Sequence, residues 1–429
     1  MSSFSTTVNH HYLEKVIHLA EEMPIVATED IYDSRGNKLL AKGAQVTRRL
    51  QEKLIVHKLT KPIEASLAVA GGVDALLIVN TAQTLLAQQP ALAALVEVCP
   101  GLGPTAVAVL SSLQFGNAMT MMLTIFERGG KHGLDHAVTV ALITIALAKR
   151  SGMRPEELAS AGLAGLLHDI GELYLDPALL EAGRALSTQE WAHLVVHPRV
   201  GEMLIAELES FPPAVARAVG EHHERRDGYG YPRRLMGMDI SPCGQLLAAA
   251  EMIAGMLPAP NPLERAELGL KLLPAEHSPV ALAAVGAALV LVRSRTAPVA
   301  MEAGSAGSTT LLCERLRLAT AETRRLLDAA APMSAAMRST LQAASLRIDM
   351  IRRAAASVGL DCSFQSTDFD DDAGLHFELA AVTREINWRM RDLGRDLSTC
   401  SITRIEKEGM LGLIGMLSGS EPGPVRMAA

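Results

Sequence analysis

With 429 residues, 49% of them hydrophobic and 20% charged, the chain can bury two or three cores and stands far from the composition of disordered proteins. A formal net charge of −7 excludes the cationic footprint that non-specific nucleic-acid binding requires. Only 3% of residues are aromatic while alanine and leucine dominate, which points to packed helices and a mainly α fold. The five cysteines (Cys99, Cys243, Cys313, Cys362, Cys400) share no close spacing, so a reducing cytoplasm is expected, without a disulfide framework or zinc knuckle. Met1-Ser2-Ser3-Phe4-Ser5 lacks the layout of a signal peptide, and the longest apolar run, Val280 to Val292, is too short at 13 residues to span a bilayer.

Residues 8 to 20 read as a short helix. Ile25-Val26-Ala27 reads as a strand, Asp33-Ser34-Arg35-Gly36-Asn37 as a turn, and Lys38-Leu39-Leu40 as the returning strand. Thr47 is placed to cap a helix through His57, with Leu50 and Leu54 on one face. Residues 1–65 therefore form a small β-rich N-terminal module, in which His57 is a surface residue. Residues 66–114 are an Ala/Leu-rich helical connector, broken at Pro100-Gly101-Leu102-Gly103-Pro104.

The next domain, 115–300, opens on a helix predicted to start just after His136 and to end at Lys149-Arg150 and Gly152. Arg154-Pro155-Glu156-Glu157-Leu158 begins a helix whose apolar run, Leu163 to Leu167, ends in His168-Asp169. Ser187-Thr188-Gln189-Glu190 resembles a capping box and starts the helix that delivers His197, with His193 on the same face but outside the ligand set. His222-His223-Glu224-Arg225-Arg226-Asp227-Gly228-Tyr229-Gly230-Tyr231-Pro232 follows, a helix end running into an ordered Gly-rich loop. Residues 301–429 read as a C-terminal helical region: a small-residue linker at 302–310, helices at 311–358 and 376–397, a solvated acidic loop at Asp368-Phe369-Asp370-Asp371-Asp372, and a Pro422-Gly423-Pro424 tail. Leu375, Leu379, Val382, Ile386 and Met390 mark one helical face, either core or a homodimer seam.

Seven of the thirteen histidines fall between His132 and His223. Imidazoles and carboxylates together suit divalent transition metals, and a buried His-Asp pair needs satisfied partners that a metal can supply. The bland alternatives are a solvated His-His helix end and a core His168–Asp169 hydrogen bond; the recurrence of such positions at helical-bundle spacing favours the metal. Neighbouring side chains on a helix point about 100° apart, so His222 and His223, if both ligate, are expected to serve two adjacent ions.

His136, His168-Asp169, His197-Pro198, His222-His223-Glu224 and Gly228-x-Gly230-Tyr231-Pro232 together resemble the HD-GYP subgroup of HD-domain phosphohydrolases, over about residues 115 to 295. The resemblance implies an all-α domain that hydrolyses cyclic di-GMP to linear pGpG or GMP at a centre of two, or three, divalent metal ions, iron or manganese fitting the donor set. It implies His136, His168, Asp169, His197, His222, His223 and Glu251 as metal ligands, with Asp169 bridging, and places His168, Asp169 and Glu172 at the reaction centre. His132 stands where some members add a carboxylate for a third metal; the alternative is an exposed residue. Arg225, Arg226, Gly228, Gly230, Tyr231 and Pro232 become the substrate-binding stretch, and the Gly-Tyr-Pro loop, with Tyr229 and Tyr231 exposed, a docking surface for a diguanylate cyclase (GGDEF) domain. Three departures stand out. Glu172 replaces the lysine of the motif His-Asp-x-Gly-Lys, Glu251 replaces an aspartate, and an Arg-Pro-Tyr-Arg-like phosphate-holding stretch is missing, with Arg265 and Lys271 the nearest substitutes. A glutamate at 172 repels an anionic substrate where a lysine attracts it. The second reading is accordingly a catalytically impaired signalling module, and the third a hydrolase of another phosphate ester.

Overall fold

The computed structural model describes residues 8–100, 104–129, 133–181, 184, 186–295, 306–329, 333–358, 360, 373–400 and 402–419. The protein is mainly α, with small sheets near its N-terminus, and divides into two compact units, residues 1–263 with 275–296 and residues 264–274 with 297–429. Among the described residues, no helix is long and apolar enough to cross a membrane.

In the first unit, α1 (His10–Glu22) begins where the Asn9 side chain accepts from the Tyr12 amide, and it buries Tyr12, Leu13, Val16, Ile17 and Leu19. The strands β1 (Ile25–Ala27), β2 (Ile31–Tyr32) and β3 (Lys38–Leu40), then α2 (Arg48–Val56) and β4 (Leu67–Val69), complete the N-terminal module. The expected turn forms because Asp33 Oδ1 accepts from the Arg35 and Asn37 amides while Gly36 takes a φ of 84°. It joins β2 to β3, however. β1 pairs instead with β4, Ile25 opposite Val69. His57 is half-exposed and lies 3.1 Å from Asp33.

The helices α3 (Ala75–Gln88), α4 (Pro90–Glu97) and α5 (Ala106–Ser111) pack on α7, with α6 (Asn117–Gly129) beside them. The central helix α7 (Gly133–Arg150) is buried almost throughout from Leu134 to Ala148, and it starts at Gly133, so His136 lies within its first turn rather than ahead of it. α8 (Pro155–Leu167) crosses α7 where Gly165 meets the Ala141 backbone, too close for any Cβ. A 3-10 turn (Ile170–Tyr174) follows, then α9 (Thr188–Leu194) with the Ser187/Glu190 capping box, α10 (His197–Leu208), α11 (Pro213–Glu221) and α12 (Pro242–Met256). α13 (Pro262–Leu272) lies mostly in the second unit, and α14 (Pro279–Arg295) belongs to the first.

The second unit packs α13 with α15 (Ala306–Asp328), α16 (Ala335–Ser357), α17 (Ala373–Thr399), α18 (Arg404–Gly409) and α19 (Leu411–Ser418). Val382, Ile386 and Met390 are buried in its core among Leu341, Ile348 and Leu413, so this face of α17 is core and not a dimer seam. α15 already begins at Ala306, which turns part of the expected linker into helix. The acidic loop Asp368–Asp372 and the Pro422–Pro424 tail lie outside the described residues.

Candidate metal centre

Three helix ends build the centre, each in the same way. His168 is the C-cap of α8 and its Nδ1 donates to Gly165 O at 2.9 Å. His222 is the C-cap of α11 and donates to Val219 O at 2.6 Å. His197, first residue of α10, donates to Leu194 O at the end of α9, at 2.9 Å. A carbonyl can only accept, so each Nδ1 carries a proton and each ring turns its Nε2 inward.

The inward atoms form two clusters among the described residues. In one, Glu251 Oε2 on α12 lies 3.1 Å from His136 Nε2 and 3.2 Å from His168 Nε2. In the other, Asp169 Oδ1 lies 3.4 Å from both His197 Nε2 and His222 Nε2, and His223 completes the group. Asp169 divides its oxygens between them, since Oδ2 is 3.0 Å from His168 Nε2. His168 is 1% exposed, and its Nε2 makes no hydrogen bond despite these two carboxylates. A buried, fixed lone pair facing acidic oxygens without hydrogen-bond geometry is what a metal ligand looks like. The donor set fits divalent transition metals, and the residues present fit such ions in both clusters.

Charge follows the same division. Burial pushes the Asp169 carboxyl up, but His168, His197 and His222 hold it well below the carboxylate range. Burial likewise opposes the ionised form of Glu251, which His136 and His168 keep well below its ordinary value. His223 is driven well below the usual imidazole range by burial and by His222 and His197. Glu172 behaves oppositely: burial, and then the neighbouring Asp169 carboxylate, push it up to about 8.

Several expectations need correction. His222 and His223 serve one cluster, not two, because α11 ends at Glu221 and His223 has left the helical spacing that would turn it away. His193 does not share a helix with His197; α9 stops at Leu194 and α10 starts afresh. Arg225 is buried and its guanidinium donates to Tyr229 O, while Arg226 donates to His277 O at 3.2 Å, so the structure engages both within and beneath the loop. Tyr229 and Tyr231 are half-buried, and Tyr231 stacks on His223 with ring centroids 4.6 Å apart, which removes the exposure the docking surface rested on. Arg265 lies over the Phe377 ring and Lys271 pairs with Glu267 at 2.8 Å, both in the second unit. His132 lies outside the described residues.

The loop itself is held by Glu224, 1% exposed, whose oxygens accept from the Arg233 and Leu235 amides at 2.6 and 3.0 Å. Gly230 is pressed against the Glu224 and Arg225 backbone, where no Cβ fits, and Gly228 takes a φ of 82°. Pro232 follows, half-buried. Glu221, also 1% exposed, accepts from Ser241 N at 2.8 Å and so fixes the start of the helix that carries Glu251. Glu224 entered the sequence reading only as part of the His222-His223-Glu224 motif and Glu221 not at all; burial beside amides reveals what each does.

Helix ends that converge imidazoles and carboxylates on paired clusters define an HD domain, and residues 121–262 match the HD domain family. The Gly228-Tyr229-Gly230-Tyr231-Pro232 loop following His222-His223 within that match is the pattern by which this segment resembles HD-GYP domains. It is similar to 3'3'-cGAMP-specific phosphodiesterase 3 of Vibrio cholerae, 33% identical over 128 residues that cover 30% of this chain and 28% of that protein. Cyclic di-GMP phosphodiesterase PA4108 of Pseudomonas aeruginosa is 32% identical over 143 residues, covering 33% and 34%. The cyclic di-GMP phosphodiesterase response regulator RpfG of Xanthomonas campestris pv. campestris is 34% identical over 115 residues, covering 26% and 30%. The chain thus spans about a third of the length of the curated relatives it matches. Among solved structures, Bd1817, a HDG"Y"P protein from Bdellovibrio bacteriovorus, aligns with a TM-score of 0.34 at 19% identity, over 62% of this chain and 95% of that one.

Proposed function

We propose that the chain is a metal-dependent phosphodiesterase of cyclic dinucleotides, with cyclic di-GMP the first substrate to test and linear pGpG or GMP the product. The observation that carries this reading is the sharing of Asp169 between two ligand clusters, with Oδ1 towards His197 and His222 and Oδ2 towards His168. His136, His168 and Glu251 would hold one divalent ion, iron or manganese, and His197, His222 and His223 the other, with Asp169 between; His132 is the residue to examine for a third. Bound ions of this kind bring the pKa of coordinated water towards neutrality and neutralise charge on a phosphoryl group. The protein's part is orientation. Backbone carbonyls fix the three Nε2 atoms, and the Tyr231 ring covers His223. Similarity to relatives named for cyclic di-GMP and for 3'3'-cGAMP supports the substrate class.

One observation favours a second reading, a metal-binding signalling module without turnover. Glu172 stands beside Asp169 where the motif has a lysine, and with its carboxyl raised to about 8 it is largely neutral near pH 7, so the position lacks the cation that would attract a substrate phosphate and adds repulsion only at higher pH. Purified protein, prepared aerobically and anaerobically, should be measured for metal by elemental analysis and for cleavage of cyclic di-GMP and 3'3'-cGAMP. Two equivalents of metal with linear product is the expected result. Two equivalents without product transfers the conclusion to the signalling reading, and no metal under either condition removes both.

A further inference from the structure

One cavity of the first unit adjoins the ligand clusters. It has a volume of about 490 Å³ and lies between α1, the end of α6 and the 3-10 turn after Asp169. Phe126 walls both this cavity and the narrow space at His136, His168 and Asp169. Leu19, Ile125, Leu173 and Leu180 supply apolar lining, and its size falls within the range of small-molecule sites. Glu14, Glu22, Glu181, His18 and Arg128 sit at its exposed rim, where water screens them. The charged groups set deeper are Lys15 and Glu172.

Lys15 is not free to wander. Its Nζ donates to Leu173 O at 3.0 Å and to Leu175 O at 3.4 Å, which ties the ammonium to the same 3-10 turn that carries Glu172. An ammonium has three N–H groups, so one remains for a ligand. His11, Lys15 and His18, spaced four and three apart, share one face of α1, and all three line the cavity.

We propose that this cavity receives the phosphate of a cyclic dinucleotide and that Lys15, from the N-terminal helix, supplies the cation that position 172 lacks. The inference rests on the phosphodiesterase reading for the identity of the ligand. A lysine binds phosphate as a point charge and does not depend on which segment brings it. Here the charge comes from a helix of the N-terminal module, so the site is complete only with α1 in place and any input that moves α1 changes substrate affinity. Lys15 is a specificity-determining residue of this chain, remote in sequence from the motif it completes.

The test uses the full chain loaded with metal, as wild type, Lys15→Met and Lys15→Arg, titrated separately with cyclic di-GMP and with inorganic phosphate; metal content and Tm are recorded alongside. Lys15→Met should weaken both ligands at least tenfold with metal content unchanged, raise KM more than it lowers kcat, and flatten the salt dependence of binding; Lys15→Arg should recover most of the affinity. Wild-type affinity for both ligands in Lys15→Met overturns the proposal, as does a loss that merely tracks lost metal and is not rescued by arginine. The two readings fail separately. Lys15-dependent phosphate binding without dinucleotide binding or cleavage sinks the phosphodiesterase and leaves the anion site. Dinucleotide cleavage indifferent to Lys15 does the reverse.

Discussion

Gly171→Ala, one added methyl group, is expected to empty one half of the metal centre and spare the other. Gly171 lies in the 3-10 turn after Asp169, against the start of α10. A Cβ there would overlap the His197 carbonyl oxygen and come within 2.9 Å of both His197 C and Gly201 N. These are backbone atoms, so no rotamer change relieves the clash. The turn and α10 must part by roughly 1 Å, which is the scale of misplacement that costs about a hundredfold where geometry matters, on top of about 1–3 kcal/mol for overpacking. The movement carries His197 away from Asp169 Oδ1, already 3.4 Å distant. The second cluster is buffered, because His136, His168 and Glu251 sit on α7, α8 and α12 and none of them on α10.

Elemental analysis should therefore show Gly171→Ala falling from two equivalents of metal towards one. Adding His136→Ala should remove the remainder, which identifies the surviving ion. Thermal unfolding should drop by several degrees, at about 2–4 °C per kcal/mol for a unit of this size. Two equivalents of metal at the wild-type Tm would refute the reasoning, for the interlock of Gly171 and α10 would then not position His197.

Asp169→Ala removes Oδ1 from the group with His197, His222 and His223 and Oδ2 from beside His168, and should lose both ions, leaving buried imidazoles without partners; metal content and Tm after dialysis are the check. Tyr174→Phe takes away the hydroxyl that donates to the buried Glu64 carboxyl and should cost about 1–3 kcal/mol by chemical denaturation, wild-type stability being the contrary result. Glu172 has its carboxyl raised to about 8, so in metal-free protein its contribution is fully present below the ordinary carboxyl value and is lost as pH climbs through 8. Glu172→Gln should then match wild type near pH 4 and exceed it near pH 9, by a few kcal/mol at most after allowance for its partial exposure; equal curves at both ends would contradict the burial argument.

The sequence disclosed what is local and what chemistry restricts. α1, the Asp33 turn and the Ser187/Glu190 box follow from side chains that bond backbone amides within four residues. The candidate ligand set was legible through the family resemblance, and the structure brings its members into two groups. What stayed hidden is non-local. β1 chooses β4 over β3 through a register that no neighbouring residue announces. Arg225 and Arg226 looked poised for phosphate, yet nearby carbonyls at Tyr229 and His277 engage them. His223 joined the cluster of His222 because α11 ends at Glu221, immediately before the pair. Lys15 reaches the turn of Glu172 only through the tertiary fold.

The residue types at 168, 197 and 222 are fixed by two demands at once. A helix leaves its last four carbonyls without donors, and in a buried centre each such carbonyl needs one. A metal site needs a lone pair held at a set angle. Histidine meets both through one rigid ring: Nδ1–H closes the carbonyl at Gly165, Leu194 or Val219, and the same bond aims Nε2 at the shared carboxylates. Asparagine could cap such an end but presents no comparably basic nitrogen on its far side. Cysteinate could ligate but has no proton to give the carbonyl. Helix termination and ligand orientation are therefore a single event at each of these positions.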